Sequence, residues 1–187
     1  QLMERLAVAP GIRCIYLKDA LEKGKKTGPI FYKTDQHWTG IGSYYGATYI
    51  AENAYALWDR LPAPQVTLPK MAHNPDEALS FSEYLGIDNI FKEGTLNPKY
   101  EHPVKSERFK GDTRWVTAYT NQNLPNNPSV LVFHDSFGKY GFHDSFPQYF
   151  STCYFAHYLD SGLDMGLVQA CKPDMIVMLL AEARLED

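Results

Sequence analysis

Cysteine, long apolar runs and clustered positive charge are all scarce in this chain of 187 residues. Its three cysteines, Cys14, Cys153 and Cys171, include no Cys-x-x-Cys pair, which argues against zinc ribbons and thioredoxin-like redox sites. An odd count allows at most one internal disulfide. Cys153 and Cys171 are the nearest pair in sequence, and buried free thiols are the equal alternative. No apolar run reaches the roughly 18 residues of a membrane-spanning helix. The densest basic patch is Lys23-Gly24-Lys25-Lys26 and the formal net charge is −4, a poor fit to nucleic acid or an anionic membrane. No signal-peptide pattern opens the chain. It starts on Gln1 and soon enters strand-like sequence, as expected of a domain whose N-terminal portion has been removed, so location stays open. Internal repeats and low-complexity tracts are missing too.

What is present is an ordinary globular composition, 44% hydrophobic and 21% charged, over a length that suits one domain spanning 1–187. Aromatics are plentiful, with 13 Tyr, 10 Phe and 3 Trp. Such rings either stack on sugars or fill a core, and composition does not separate the two.

Two stretches carry chemistry. Val130-Leu131-Val132-Phe133 reads as a strand buried on both faces, and it runs into His134-Asp135-Ser136-Phe137-Gly138. In open α/β sheets, ligands bind where strands end, so Ser136 stands where an exposed hydroxyl has a rigid base; a helix cap is the plain alternative. The second stretch is Phe31 to Trp38, in which Asp35 and His37 stand two apart. A nucleophilic serine needs a base and a group that fixes the base's tautomer, and Asp-x-His offers both from one turn. The alternative is a helix start capped by Thr34 or Asp35 with His37 on the surface.

The remaining pattern gives the frame. Leu2, Leu6 and Ala9 suggest an amphipathic helix tail before Pro10-Gly11. Ile12–Leu17 and Ile30–Tyr32 read as short strands around a brief helical turn at 19–26. From Thr39 to about Leu61 the three-to-four spacing of Ile41, Tyr44, Tyr45, Thr48 and Tyr49 predicts a long helix, with Gly42, Ser43, Gly46 and Ala47 allowing close approach. Leu61 to Pro75 is a Pro-rich connection, 76–85 has helical spacing, and 98–120 reads as a strand or hairpin. Ser151–His157 is a further strand, 161–170 a helix with Leu163, Leu167 and Val168 inward, and 173–180 a last buried strand. Strands alternating with helices predict a parallel sheet between helix layers.

Taken together, the chain resembles the SGNH-hydrolase-like polysaccharide O-acetyltransferases of the AlgJ/AlgX kind. Four features carry the likeness: Thr34-Asp35-Gln36-His37-Trp38 before a Gly/Ala-rich helix, Val130 to Gly138, Tyr149-Phe150-Ser151 before a His-containing strand, and Lys172 to Val177 with Glu182-Ala183-Arg184-Leu185. Ser82 to Ile87 is a fainter echo. The Asp-x-His motif precedes the serine, the reverse of ordinary SGNH hydrolases. His134 departs from the pattern, since the family usually has Gly there.

The resemblance implies an α/β/α three-layer fold with a mostly parallel sheet and permuted motif order. It implies Ser136 as nucleophile, His37 as general base and then acid, and Asp35 as the carboxylate orienting His37. The Ser136 backbone N–H, joined by that of Phe137 or Gly138, is the expected oxyanion donor. Asp135 is expected to fix the turn. Trp38 either stacks on a sugar or packs beneath the dyad. Tyr140, Arg108, Arg114 and Arg184 are candidate polymer contacts, with structural or solvated roles as the alternative. His134, His143 and His157 lack metal-ligand spacing, so no metal or cofactor is expected. The implied partners are a polysaccharide acceptor, an acetyl donor and a membrane-bound O-acyltransferase, in an extracytoplasmic location. An acetylesterase with the same triad and a non-catalytic polysaccharide-binding protein on this fold are the competing readings.

Overall fold

The structure is a computed structural model, and it describes residues 11–109 and 116–181. The helix expected before Pro10 lies outside these residues, as do Arg114, Arg184 and the 182–185 tail.

The central element is β5 (Ser129–His134), whose residues Val130, Leu131, Val132 and Phe133 are all buried. Successive side chains of a strand alternate faces. Val130 and Val132 enter one apolar cluster, while Leu131 and Phe133 enter another. β6 (Thr152–His157) and β7 (Met175–Leu179) flank it, both parallel to it. Beyond β6 come β4 (Val116–Thr120) and β3 (Lys105–Arg108), giving the sheet order β3-β4-β6-β5-β7. The β3–β4 and β4–β6 pairings are antiparallel, so the sheet is mixed: two of its four pairings are parallel, and only β4 runs against the rest.

Helices cover both faces. On one lies α2 (Gly40–Trp58), whose Ala47, Ile50, Ala51, Ala54 and Tyr55 join Val130, Val132 and Phe155. On the other, α6 (Met165–Cys171) brings Leu167 and Cys171 against Leu131 and Phe133. The expected α/β layering is therefore present. α1 (Lys18–Gly24) and α4 (Phe142–Ser145) pack on α2, and α5 (Tyr158–Ser161) follows β6. Cys153 and Cys171 belong to opposite faces of the sheet and none of the three cysteines forms a disulfide among the described residues, which removes the Cys153–Cys171 pairing.

Several expected elements differ. Ile12–Leu17 forms no strand; Arg13 Nε instead donates to Asn53 Oδ1 of α2, while Ile15 and Leu17 pack on the core. Ile30–Tyr32 reduces to one antiparallel bridge, Phe31 with Trp38. Within the Pro-rich stretch stands β1 (Lys70–Asn74), paired antiparallel with β2 (Thr95–Lys99), and the helix between them, α3, is only Ser80–Tyr84. β7 is an edge strand with Ile176 and Met178 about half exposed, and Leu163 is turned outward.

Candidate active site

Two chain segments converge at the C-terminal end of β5. The first is the loop ahead of α2, closed as a hairpin by Tyr32 N–H to His37 O (3.2 Å) and Thr39 N–H to Ile30 O (2.9 Å). Thr39 caps α2, its hydroxyl accepting from Gly42 N–H. A Cβ on Gly42 would lie 2.2 Å from Ile30 O and one on Gly46 would lie 2.9 Å from the Trp38 ring, so the small residues let this loop sit against the helix. Asp35 and His37 are thereby held on a rigid platform and are both buried.

The second segment is the turn after β5, where Ser136–Gly138 forms a single 3₁₀ turn capped by Asp135. Asp135 Oδ1 accepts from Phe137 N–H (2.8 Å) and Oδ2 from Ala181 N–H (2.7 Å), which ties the turn to the exit of β7. Asp135 is a staple, as expected. Gly138 N–H is also spent, on Asp135 O at 3.1 Å. The Phe137 and Gly138 amides are therefore committed within the turn. Only the Ser136 amide remains to face a developing oxyanion.

The geometry brings Asp35, His37 and Ser136 into one line. His37 Nδ1 lies 2.5 Å from Asp35 Oδ1, and His37 Nε2 lies 2.7 Å from Ser136 Oγ. A carboxylate only accepts, so Nδ1 carries the proton and Nε2 is free to accept from the Ser136 hydroxyl. Burial alone would raise the Asp35 pKa. Hydrogen bonds from the Ser80 hydroxyl and from the His37 amide and ring outweigh it, and hold the carboxyl below its ordinary range. The dyad can thus accept a proton from Ser136 while Asp35 remains charged.

The other expected residues separate clearly. Tyr140 stacks on His37 with ring centroids 4.1 Å apart and stays partly exposed at the rim. Its backbone is left-handed (φ 50°), and burial followed by the charge of Asp35 raises its hydroxyl pKa. Trp38 is 2% exposed, packed edge-on to Phe137 and parallel to Phe142. It offers no face to a sugar and lies under the dyad. Arg108 ends β3, three strands from β5 and aligned through Thr117 and Phe155 with Val132. At about 4.8 Å per strand that is roughly 14 Å away, so it does not join the site.

His134, His143 and His157 do cluster, with His134 centred 5.2 Å from His143 and 5.5 Å from His157. Among the described residues no group of His, Cys, Asp and Glu is placed to hold a metal ion. His134 Nδ1 lies 2.7 Å from Asp135 O and donates to it, so this ring belongs to the turn that carries Ser136.

Two residues escaped the sequence. Ser80 Oγ and N–H donate to Asp35 Oδ2 at 2.5 and 3.3 Å. Glu93 accepts from the Lys33 and Thr34 amides and from the Thr34 hydroxyl at 2.7 to 2.9 Å. Neither has a local signal, since both act on a loop distant in sequence.

A sequence model described as the SGNH hydrolase-like domain of acetyltransferase AlgX matches residues 1–144, a span holding Asp35, His37 and Ser136. The chain belongs to the AlgX SGNH hydrolase-like family. Solved structures share this SGNH-like fold. A DHHW family protein from Eubacterium siraeum aligns at TM-score 0.65 and 16% identity over 91% of this chain and 63% of its own. Bacillus cereus PatB1 with a sulfonyl adduct aligns at 0.67 and 14% over 95% of this chain and 70% of its own. The O-acetyltransferase domain of Pseudomonas putida AlgJ aligns at 0.53 and 16% over 96% of this chain and 63% of its own. At such identities the likeness speaks for the fold alone. The AlgX-like chain spans 63% of the DHHW protein and of the AlgJ domain. No curated protein matches it by sequence.

Proposed function

We propose that this domain is an O-acetyltransferase that carries an acetyl group on Ser136 and passes it to a hydroxyl of a polysaccharide. The observation that carries the reading is the Asp35–His37–Ser136 line, with an acceptor nitrogen 2.7 Å from the serine hydroxyl. Membership of an acetyltransferase family supports acetyl as the group transferred.

In the first half-reaction His37 Nε2 takes the Ser136 proton as Oγ bonds to the acetyl carbonyl carbon. The carbonyl oxygen gathers negative charge facing the Ser136 amide, and His37 returns the proton to the departing donor oxygen. In the second, an acceptor hydroxyl loses its proton to His37 and attacks the acetyl-serine, and His37 returns the proton to Ser136 Oγ as it leaves. Asp35 stays ionised throughout and stabilises the imidazolium formed in each half. Tyr140 lies on the face of that imidazole and forms part of the rim that the substrate passes. The acceptor is a bacterial exopolysaccharide or cell-surface glycan met outside the cytoplasm, with acetyl delivered by way of a membrane-bound O-acyltransferase.

Release of p-nitrophenol from p-nitrophenyl acetate by wild type, Ser136→Ala and His37→Ala tests the triad. Both substitutions should lower the rate by about a thousandfold or more. A gain of one acetyl on an added oligosaccharide, read by mass spectrometry, marks the transferase. Hydrolysis with every acceptor tried would favour an esterase instead. Equal rates in all three proteins, with no labelling of Ser136 by a sulfonyl fluoride, would leave a polysaccharide-binding protein.

A further inference from the structure

The connection from β1 to β2, residues 75–94, does more than join a hairpin. Its neck is closed by Gly94 N–H to Glu77 O at 3.0 Å, and from there it reaches over the loop that carries Asp35. It grips that loop at Lys33 and Thr34. Glu93 accepts the Lys33 and Thr34 amides, while Phe81 N–H donates to Thr34 O at 2.9 Å. Next to these grips Ser80 meets Asp35.

The two oxygens of Asp35 are divided between two tasks. Oδ1 accepts from the His37 amide (2.8 Å) and faces His37 Nδ1, while Oδ2 accepts from the Ser80 hydroxyl and amide. A carboxylate free to turn part-way about its Cβ–Cγ bond would swing both oxygens out of line with the imidazole. We propose that Ser80 is a positioning residue for the Asp35–His37 dyad, fixing one carboxylate oxygen so that the other stays aimed at His37 Nδ1. The inference rests on the triad reading above. Ser80 touches no reacting atom and acts through Asp35. The hydroxyl also leaves a buried carboxylate with its acceptor capacity filled, the condition under which a buried charge is tolerated. The other titratable groups around Asp35 are His37 on its own loop, Tyr32 and Tyr140, whose hydroxyls feel its charge, and Glu77, Glu83 and Glu93 of the excursion. None of these acids donates to it; its hydrogen bonds come from His37 and Ser80, so Asp35 would register the loss of the Ser80 hydroxyl.

The test compares Ser80→Ala and Ser80→Thr with wild type, with Ser136→Ala and His37→Ala alongside. Ester hydrolysis is followed at saturating and limiting p-nitrophenyl acetate, and the Asp35 carboxyl is titrated by carbon NMR, its signal assigned with Asp35→Asn. A hydrogen bond to a charged group predicts a 10- to 100-fold loss of kcat in Ser80→Ala, roughly, with KM unchanged. The Asp35 titration should move to higher pH, and Ser80→Thr, which keeps the hydroxyl, should restore both. A wild-type kcat in Ser80→Ala, while Ser136→Ala and His37→Ala are dead, overturns the Ser80 inference alone. A loss of kcat with an unmoved Asp35 titration and no recovery in Ser80→Thr also overturns it, since that is the mark of a merely structural residue. Wild-type rates in Ser136→Ala and His37→Ala overturn the triad reading itself, and the inference falls with it.

Discussion

The ring of His134 occupies the space that a side chain on Gly138 would need. A Cβ built on Gly138 would lie 2.2 Å from His134 Cγ and Nδ1, and 2.6 Å from its Cβ. The bulk of His134 thus stands before the turn that carries Ser136, and Gly138 accommodates it. The ring then serves the turn, through its bond to Asp135 O.

That pairing predicts coupling between the two positions. His134 is 2% exposed and cannot swing aside, so Gly138→Ala should cost about 1–3 kcal/mol, the usual range for overpacking, and slow ester hydrolysis by disturbing Ser136. Ala at 134 would still crowd the new methyl through its own Cβ. His134→Gly would not, and should recover stability in the Gly138→Ala background. A double-mutant cycle in urea should return a coupling of about 1 kcal/mol or more. Additive effects would show that the ring is not what excludes a side chain at 138.

Asp135 gives a second prediction. Both its oxygens accept from backbone amides, Phe137 on one side and Ala181 on the other. Asp135→Asn keeps the shape but turns one acceptor into a donor facing a donor. One buried amide is then unsatisfied, at about 1–3 kcal/mol. The denaturation midpoint should fall and hydrolysis should slow, because the amide pattern that isolates the Ser136 N–H depends on this staple. An Asn variant as stable and active as wild type would dismiss it.

Tyr140 separates backbone strain from ring function. Its left-handed φ of 50° is costly for a residue with a Cβ, by about 1–2 kcal/mol. Tyr140→Gly and Tyr140→Ala both remove the ring from His37, but only Gly relieves the backbone. The Gly variant should therefore be the more stable by about 1 kcal/mol in chemical denaturation. Both should hydrolyse ester more slowly than Tyr140→Phe, which keeps the stack. Equal stability of the Gly and Ala variants would show that the left-handed turn stores no strain.

The parts of this architecture legible in the sequence are those whose signal is local. β5 announced itself as a continuous apolar run, α2 by its spacing and small residues, and Asp35 and His37 by lying on one turn. Ser80 and Glu93 were invisible because their partners stand 45 and 59 residues away. Strand β2 carries Pro98, a residue that argues against a strand unless an edge tolerates it. The apolar run of β7 reads as buried on both faces, yet its outward face is open because the strand lies at the sheet edge. A run of hydrophobic residues reports strand character and leaves the strand's place in the sheet unsaid. Ile12–Leu17 has the residues of a strand and forms none, its Ile15 and Leu17 packing on the core instead.

His143 predicts how stability responds to acid. Its ring is wedged between Phe155, 4.2 Å away, and Tyr119 and His134, and its Nε2 is buried without a hydrogen-bond partner. Burial, followed by the neighbouring His134 and Lys139, pushes its pKa from the ordinary 6.5 down to about 3. His134 is lowered in the same direction, chiefly by burial. The sign follows from proton counting. Between 6.5 and about 3 the unfolded chain binds a proton at His143 that the folded chain refuses, so stability falls as pH drops through that window. Above it both states are neutral and the contribution is flat. His143→Phe suits the aromatic surroundings and removes the proton, so its urea midpoint should decline less steeply than wild type between pH 6.5 and 4 and run parallel above 7. The variant should keep a residual slope from His134. Two curves that stay parallel across the whole range would mean that His143 takes up its proton in the folded state, and that the ring cluster beside Ser136 opens to water in acid.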